Sequence, residues 1–521
     1  MIVFYDFLLT LAGGLLVTGI VLVASKIVAN RLTLLRWKRL SKGLPIFPEK
    51  SLLGNHISTM GLGFENCRKI AEAHENLGPY IGGMLGNNFC MSTIDLDLVK
   101  RVVIDEANLH LDRQHLNLPV NEFEESIMLV PGHEWKPLRR VYAPALKSNK
   151  FKTPNVIHEI EDSITKLIGH IERRLIKAES DTVKENTKFK VDDFVHRYSL
   201  DLVFSCFYKQ YQLIDFDSEK CMWTSSIDLM LDQIPVNPMV KFSMIFPWFS
   251  SVVDWVVYHF HPLGFSRRKV VEFVKLQTKL GIEARRQPKG DESSTLLKDG
   301  TKYRRNMIDH IIDAFLDGKL TQKEYLNTTC FLMAAADKTA SDCIVHTIYL
   351  LSINQDIQER LRESIKVEGA DSEYLAWVLN ESLRLLPPAP IGCSRTNSYP
   401  IELDNGHVVP TGTFVVTCAY AIHRLKKYWG EDANDFKPER WRDTSHHHPM
   451  QYIPFGAGSR ACPGREFALF QMKMLFAALL TRYKFEGTER EDAYTFTSPA
   501  LIYVVPNSPT FVTIKRLEDE V

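Results

Sequence analysis

The 521-residue sequence predicts a mainly α fold with a small β part, preceded by one N-terminal transmembrane helix. Apolar residues recur at helical spacing to about Gly369, and the same spacing continues over residues 373–386. A hairpin signal follows in residues 399–409, where Asn405-Gly406 provides the turn between two short strands. An uncharged and mostly apolar run occupies residues 7–24. Together these three observations predict the fold class.

The apolar run of residues 7–24 is long enough to cross a bilayer. Six basic residues follow it within residues 26–42, whereas only Asp6 precedes it. A cleaved signal peptide has the opposite arrangement of charge, so the pattern predicts an uncleaved, single-pass anchor whose following domain lies in the cytosol. The predicted organisation is therefore a membrane anchor in residues 1–25, a basic and proline-containing hinge in residues 26–50, and one globular domain in residues 51–521.

The composition is that of a globular protein, with 45% hydrophobic residues and 63 Lys+Arg balanced by 63 Asp+Glu. A formal net charge of +0 gives no attraction to nucleic acid, and no nucleic-acid partner is predicted. The nine cysteines have no paired spacing, so we expect them to be reduced, as in a domain that contacts the cytosol.

One loop carries most of the chemical information. Residues 455–464 read F-G-A-G-S-R-A-C-P-G and precede a long apolar helical pattern, so Cys462 stands before a helix N-terminus, where a thiolate is stabilised. Gly458 and Gly464 permit a sharp turn or a close approach, while Arg460 suits a carboxylate and Phe455 offers a flat apolar face. A flat ring with carboxylate arms and a metal that prefers a soft ligand fits all of these residues, which indicates haem. The alternative is a buried cysteine in an ordinary loop.

The spacing F-x-x-G-x-R-x-C-x-G resembles the haem-binding signature of the cytochrome P450 family. All five fixed positions are matched, by Phe455, Gly458, Arg460, Cys462 and Gly464. The resemblance extends from about residue 44 to the C-terminus. It implies the cytochrome P450 fold and haem b as cofactor, with Cys462 as the axial thiolate ligand of the iron and the other four residues in the haem-binding loop.

Two further motifs resemble structural features of the same family. Glu381 and Arg384 stand three residues apart in E-S-L-R, and Arg440 follows in F-K-P-E-R-W, which together resemble the family's buried Glu-Arg-Arg triad. A surface salt bridge is the alternative for the first pair alone. Trp135 and Arg139 are similar to the family's W-x-x-x-R helix, and the resemblance implies that both bind haem propionates.

A third propionate-binding residue is implied by resemblance only. Arg395 follows the proline-rich turn of residues 387–390 and occupies the position of another propionate arginine in the family.

The oxygen-activation motif departs from the family pattern. Aligned with it, Asp337 takes the position of the acid, but Lys338 takes the position of the usual threonine, and Thr339 follows one residue later. Thr339 is then rotated by about 100° on an ideal helix and needs a local bulge to replace the missing threonine. Either Lys338 delivers protons itself, if desolvation lowers its pKa, or its side chain extends away and water carries the protons.

The substrate is predicted to be a sizeable lipophilic molecule, with a terpenoid or sterol-like intermediate of a biosynthetic pathway as the hypothesis. The predicted pocket is apolar, which is typical of such ligands. Its residues are Phe331, Met333, Ala334, Ala335, Ala389, Pro390, Ile391 and Gly392. The apolar, aromatic stretch of residues 234–265 is interpreted as a face that dips into the membrane, with buried core as the alternative.

The resemblance implies a monooxygenase that inserts one oxygen atom of O2 into its substrate, and an endoplasmic reticulum location. It also implies that NADPH acts indirectly, through a separate NADPH–cytochrome P450 reductase, with cytochrome b5 as a second candidate partner. Two alternatives stay open at this point. One is a haem-thiolate isomerase or dehydratase without external electrons, which the altered Lys338 site favours. The other is a non-catalytic haem protein that binds a lipophilic ligand.

Overall fold

The structure is a computed structural model. It describes residues 2–47, 63–85, 88–113, 118, 120–180, 188–208, 214–218, 221–286, 295–296, 302–303, 307–487, 496–497, 505–506 and 510–517. The α-helices in these ranges are α1 (Ile2–Leu40), α2 (Gly63–Leu77), α3 (Leu96–Lys100), α4 (Asn121–Glu124), α5 (Gly132–Ala145), α6 (Ser148–Phe151), α7 (Pro154–Ser180), α8 (Val191–Val203), α9 (Met222–Val236), α10 (Pro238–Ile245), α11 (Ser250–Phe260), α12 (Pro262–Arg286), α13 (Met307–Leu316), α14 (Gln322–Ile353), α15 (Gln355–Glu368), α16 (Glu373–Leu385), α17 (Ala419–Ile422), α18 (Lys426–Trp429) and α19 (Arg465–Leu480).

The strands are short and form small sheets. They are β1 (Tyr80–Leu85), β2 (Asn88–Thr93), β3 (Lys188–Lys190), β4 (Thr295–Leu296), β5 (Lys302–Tyr303), β6 (Ile391–Thr396), β7 (Ile401–Glu402), β8 (Val408–Val409), β9 (Phe414–Cys418), β10 (Tyr483–Gly487), β11 (Phe496–Thr497), β12 (Val505–Pro506) and β13 (Phe511–Arg516). One sheet has the order β1-β2-β9-β6 and another has the order β10-β13-β3. The predicted hairpin is present as antiparallel β7 and β8, and Gly406 has the positive φ of +81° that its turn requires.

Helix α14 runs through the main hydrophobic core. It begins with a capping box, in which Thr321 Oγ1 accepts a hydrogen bond from the Glu324 backbone N–H and the Glu324 carboxylate accepts one from the Thr321 N–H. Side chains along its whole length are buried, including Cys330, Ala334 and Ile344 at 0% exposure. Because most of the helix is packed against protein, it gives rigid support to the functional side chains that it carries.

The N-terminal helix extends well beyond the predicted anchor. Helix α1 continues to Leu40, and its 24-residue stretch Val17–Leu40 is long and apolar enough to cross a membrane. Its C-terminal end docks on the domain, where Trp37 is completely buried and a Cβ on Gly82 would lie 2.1 Å from the Trp37 ring. Within residues 26–47, the predicted hinge is therefore mostly helical and in contact with β1. The division at residue 25/26 remains a prediction.

The segment of residues 234–265 has two different faces. Val253 and Val257 of α11 are buried, whereas apolar side chains on the outer side of this segment are strongly exposed. These exposed side chains are Phe242 (42%), Trp248 (63%), Val252 (58%), Trp255 (55%), Phe260 (73%) and Phe265 (66%). A patch of this size and composition favours contact with a membrane or another apolar partner over a purely internal role.

Candidate active site

The loop around Cys462 is shaped by two glycines with positive φ. Gly456 and Gly458 have φ of +69° and +68°, and a Cβ on Gly458 would lie 1.9 Å from the carbonyl oxygen of Val103. Only glycine therefore fits where the loop passes this backbone. The Cys462 N–H donates to the carbonyl oxygen of Phe455 at 2.8 Å, which fixes the cysteine immediately before α19.

The Cys462 thiol is accessible but closely surrounded by protein. Its side chain is exposed, yet burial by the neighbouring atoms raises its pKa. The backbone N–H groups of Gly464 and Arg465 and the charge of Arg139 act in the opposite direction. These donors stabilise the thiolate form, which is the form that binds a metal.

Four arginines converge near this thiol. Arg395 is 1% exposed and Arg460 is 6% exposed. Arg113 and Arg139 lie close enough to Arg460 to interact with it electrostatically. Burial and the neighbouring arginines lower the pKa of Arg113 to about 10 and that of Arg460 to about 9. The Asp112 carboxylate raises the Arg460 pKa, but its Oδ1 already accepts the Gly132 N–H at 2.6 Å.

These cations fit an anionic ligand. Within the described part of the chain, the Nε atoms of Arg113, Arg395 and Arg460 are buried and have no hydrogen-bond partner. The Arg460 guanidinium lies 4.9 Å from the centre of the Trp135 ring and donates to the Val130 carbonyl oxygen at 2.7 Å. A cluster of buried cations with unused donors beside a thiol matches the two carboxylates and the iron of the predicted haem.

The predicted triad residues are in mutual contact. Glu381 and Arg384 are both completely buried, and Arg384 Nε and Nη2 donate to the two Glu381 oxygens at 2.7 and 2.8 Å. Arg440 Nε and Trp441 Nε1 donate to the same carboxylate at 3.0 and 3.1 Å. Arg384 Nη1 also donates to the carbonyl oxygen of Ala433 at 2.6 Å, so the network ties α16 to the loop that leads to Cys462.

The three residues of the predicted oxygen-activation motif point in different directions. Asp337 is 0% exposed and accepts a hydrogen bond from His196 of α8 at 2.6 Å. Lys338 extends to α9, where Nζ lies 3.3 Å from Asp228 Oδ1. Thr339 is exposed, and its hydroxyl donates to the carbonyl oxygen of Ala335 at 2.8 Å.

A charge cluster lies where α8 and α9 meet Asp337 and Lys338 of α14. His196 Nδ1 lies 3.5 Å from Asp228 Oδ2, so Asp228 joins His196 and Lys338. Burial alone lowers the pKa of His196, but the carboxylates of Asp337 and Asp228 outweigh it and raise the pKa to about 10. Burial raises the pKa of Asp337. The imidazole is therefore cationic at neutral pH, and the cluster joins helices α8, α9 and α14.

The predicted pocket residues occupy several environments. Phe331, Met333 and Ala334 are buried on α14, and the Phe331 ring meets Phe123 edge to face at 5.4 Å between centroids. Met333 also lines a small cavity between α5, α8, α13 and α14. Ala335 is half-buried on the same face as Thr339. The second group lies at the start of β6, where Pro390 is buried and the others are half-buried: Ala389, Ile391 and Gly392.

Sequence reasoning missed three residues that the structure brings to this site. Arg113 stands in no recognisable motif, and Asp228 and His196 are more than a hundred positions from Lys338 in the chain. His196 and Asp228 stand on helices that carry several other polar residues, so the sequence offered no signal that singles them out. Their partner could not be predicted, because helix packing determines which faces meet.

The chain is similar to proteins of one family. A family model described as Cytochrome P450 matches residues 45–514, which include the Cys462 loop and α14. Human cytochrome P450 3A5 is 26% identical over 471 residues, which cover 86% of each chain. Rat cytochrome P450 3A9 is 25% identical over 430 residues, covering 79% of this chain and 80% of the relative. Cytochrome P450 monooxygenase xanG of Aspergillus fumigatus is 27% identical over 385 residues, covering 69% of this chain and 66% of the relative.

Proposed function

The chain belongs to the cytochrome P450 family, and on this premise we propose that it is a membrane-anchored monooxygenase acting on a lipophilic substrate. The predicted fold class is confirmed: a cytochrome P450 fold, mostly helical with small sheets. The cofactor prediction is confirmed for the family, which holds haem iron through a cysteine thiolate. Members of the family are typically monooxygenases. The observation that carries the proposal is the accessible Cys462 thiol beside four converging arginines.

Cys462 is the residue that would bind the iron. The N–H groups that favour its thiolate and its fixed position before α19 suit an axial ligand. Bound haem supplies the activation of O2, and the thiolate supplies electron density for that chemistry. Gly458 and Gly464 would allow the loop to approach the haem closely, and Phe455 would contribute an apolar side chain to the same loop.

The arginine cluster would bind the propionates. Arg395 and Arg460 are buried, and each retains an unused Nε donor, as does Arg113. Arg139 is half-buried on α5, and Trp135 packs against Arg460. Charge-assisted hydrogen bonds from these arginines would hold the propionates and orient the haem.

Thr339 is the residue on α14 best placed to hold a proton at the reacting face. Its hydroxyl is accessible and uses its hydrogen on the Ala335 carbonyl, which leaves its lone pairs free to accept a bond. This arrangement favours aligning the family's oxygen-activation motif one residue later in this sequence than predicted, so that Lys338 takes the position of the acid. Thr339 then occupies the threonine position without a helix bulge. Asp337 and Lys338 would help to hold α14 in position against α8 and α9, and would not touch the reacting atoms.

The contacts of Lys338 weaken the isomerase alternative. The altered threonine position was its one supporting observation, and Lys338 is held by Asp228 and Asp342, at 3.3 and 3.6 Å. We therefore propose that electrons come from NADPH–cytochrome P450 reductase, with cytochrome b5 as a second donor. The family generally uses such partners.

Apolar surfaces support the proposed substrate class and location. The outer side of residues 234–265 exposes large apolar side chains, and α1 can cross a bilayer, so the domain would lie against a membrane of the endoplasmic reticulum. A lipophilic substrate would enter from the bilayer and meet the apolar side chains of α14, including Phe331. A terpenoid or sterol-like molecule has the size and polarity that such a surface favours.

A ligand titration followed by turnover tests the proposal. The purified ferric protein is titrated with terpenoids, sterols and fatty acids while the haem Soret band is recorded. We expect a low- to high-spin shift with a terpenoid or sterol, and oxygenated product only when NADPH, O2 and the reductase are all present. Product formed from a peroxide without NADPH would contradict the monooxygenase assignment. A spin shift only with fatty acids would contradict the substrate class.

A further inference from the structure

A buried ionic cluster joins three segments of the molecule. Arg267 of α12 is 1% exposed, and its Nε donates to Glu122 Oε2 of α4 at 2.9 Å. Its Nη1 donates to Asp254 Oδ1 of α11 at 2.8 Å, and its guanidinium lies 5.1 Å from the centre of the Tyr258 ring. We name Arg267, Glu122 and Asp254 the clasp. The three residues come from sequence positions that only the folded chain brings together.

On one side of the clasp, the α4 segment lies on α14. The Phe123 ring meets the Phe331 ring edge to face at 5.4 Å. A few residues later, Glu125 accepts a hydrogen bond from Asn327 at 2.9 Å. Glu122, which is 5% exposed, instead points from α4 toward Arg267. The short segment is thus fastened to α14 by one set of contacts and to α12 by the clasp.

On the other side of the clasp lies the exposed apolar surface. Asp254 and Tyr258 are one helical turn apart on the inner side of α11. Val252, Trp255 and Phe260 of the same helix are 58%, 55% and 73% exposed. The clasp therefore lies between a surface that fits a bilayer and the segment that covers Phe331.

We propose that the clasp closes a ligand route between α4 and α11 and thereby determines which lipophilic molecules reach the haem. This inference rests on the proposed function, because it takes Phe331 as part of the pocket wall. A buried charge separated from its partner is strongly unfavourable, so the two segments part rarely while the clasp is intact. A bulky ligand requires that separation, whereas a small ligand does not. Glu122 and Arg267 would then act as specificity-determining residues without touching the reacting atoms.

Binding kinetics of two iron ligands of different size test the inference. Full-length holoprotein is mixed with imidazole or with the bulky clotrimazole, and the Soret change is followed by stopped flow. In Glu122→Gln and Asp254→Asn, we expect clotrimazole to bind about fivefold faster or more, while imidazole binds at the wild-type rate. Glu125→Gln is the matched control, because it removes a carboxylate three residues away that contacts Lys323 and Asn327, and we expect no change in either rate.

The outcomes separate the clasp from the proposed function. Equal rates for clotrimazole in wild type and variants, or equal acceleration of both ligands, would overturn the clasp. If the single variants lose haem, the double variant Arg267→Met/Glu122→Gln removes both charges together and leaves none of that pair unpaired, and the same comparison is made with it. A wild-type protein without a thiolate-type spectrum of its reduced CO complex would overturn the proposed function, and the clasp with it.

Discussion

Two regions of this molecule use buried charge in different ways. In the cysteine-loop region (residues 381–464), Glu381 holds Arg384 and Arg440 through contacts of 2.7 to 3.0 Å, and all three residues lie within residues 381–440. In the roof (α9–α12), Asp228 and Arg267 instead pair with residues of α14 and α4 that are far away in sequence. The first arrangement stabilises one loop geometry. The second connects separate helices, so it can control how they move relative to one another.

Removing the triad carboxylate is expected to have the largest effect. Glu381→Gln leaves the buried Arg384 without its counter-charge, whereas Arg440 keeps Asp432 at 2.9 Å. Breaking a buried pair in this way costs about 3–5 kcal/mol. We expect little folded holoprotein, measured as haem-bound protein and urea unfolding. Glu439→Gln is the control, because Glu439 pairs with Arg360, which is 56% exposed, at the surface beside the same loop. If both variants lost the same amount of haem-bound protein and stability, the triad would contribute no more than a surface ion pair.

The arginine cluster should govern haem retention. Arg113→Leu removes one donor to the proposed propionate site, and a lost charge-assisted hydrogen bond costs about 1.5–3 kcal/mol. We therefore expect haem to transfer to excess apomyoglobin roughly tenfold faster or more than from wild type. Arg140→Leu changes an exposed arginine on the same helix as Arg139 and should leave the transfer rate unchanged. An unaltered rate in Arg113→Leu would remove Arg113 from the site.

Thr339 and Lys338 are neighbours on α14, but they should differ in their effect on coupling, which is the amount of product formed per NADPH consumed. Thr339→Ala removes the accessible hydroxyl, and we expect about a hundredfold less product per NADPH consumed, at the low end of what proton transfer contributes. Lys338→Met removes a side chain directed at Asp228, and coupling should change much less. Product and NADPH consumption are measured together with purified reductase. The reverse order of effects would restore Lys338 as the proton donor.

The smallest predicted effect is on the pH dependence of stability. Asp337 and Asp228 face His196, with Lys338 beside Asp228, and together the carboxylates raise the His196 pKa from its ordinary 6.5 to about 10. This contribution is complete below about pH 6.5 and is lost as the pH rises through 10. In urea unfolding between pH 7 and 10, we expect wild type to lose more stability than His196→Gln. Parallel curves would show that His196 is not cationic in the folded protein.

The two regions also differ in how far the sequence predicted them. The Cys462 loop and the Glu381–Arg384 pair are encoded at short, fixed spacing, so their residue types could be recognised directly. Arg113, His196 and Arg267 carry no such spacing, because their partners are set by how distant helices pack. The register of Asp337, Lys338 and Thr339 also depended on packing, since a one-residue shift rotates every side chain by about 100°.

The reduced CO spectrum of a ligand variant tests the central claim most directly. Wild-type protein should give the thiolate-type Soret band, and Cys462→His should keep haem but lose that band. Cys393→Ser is the matched control, because Cys393 of β6 is a second cysteine beside the same loop, where its sulfur accepts a hydrogen bond from the Ala457 N–H at 3.0 Å. This variant should leave the band intact. A Cys462→His protein that retained the thiolate-type band would contradict the account.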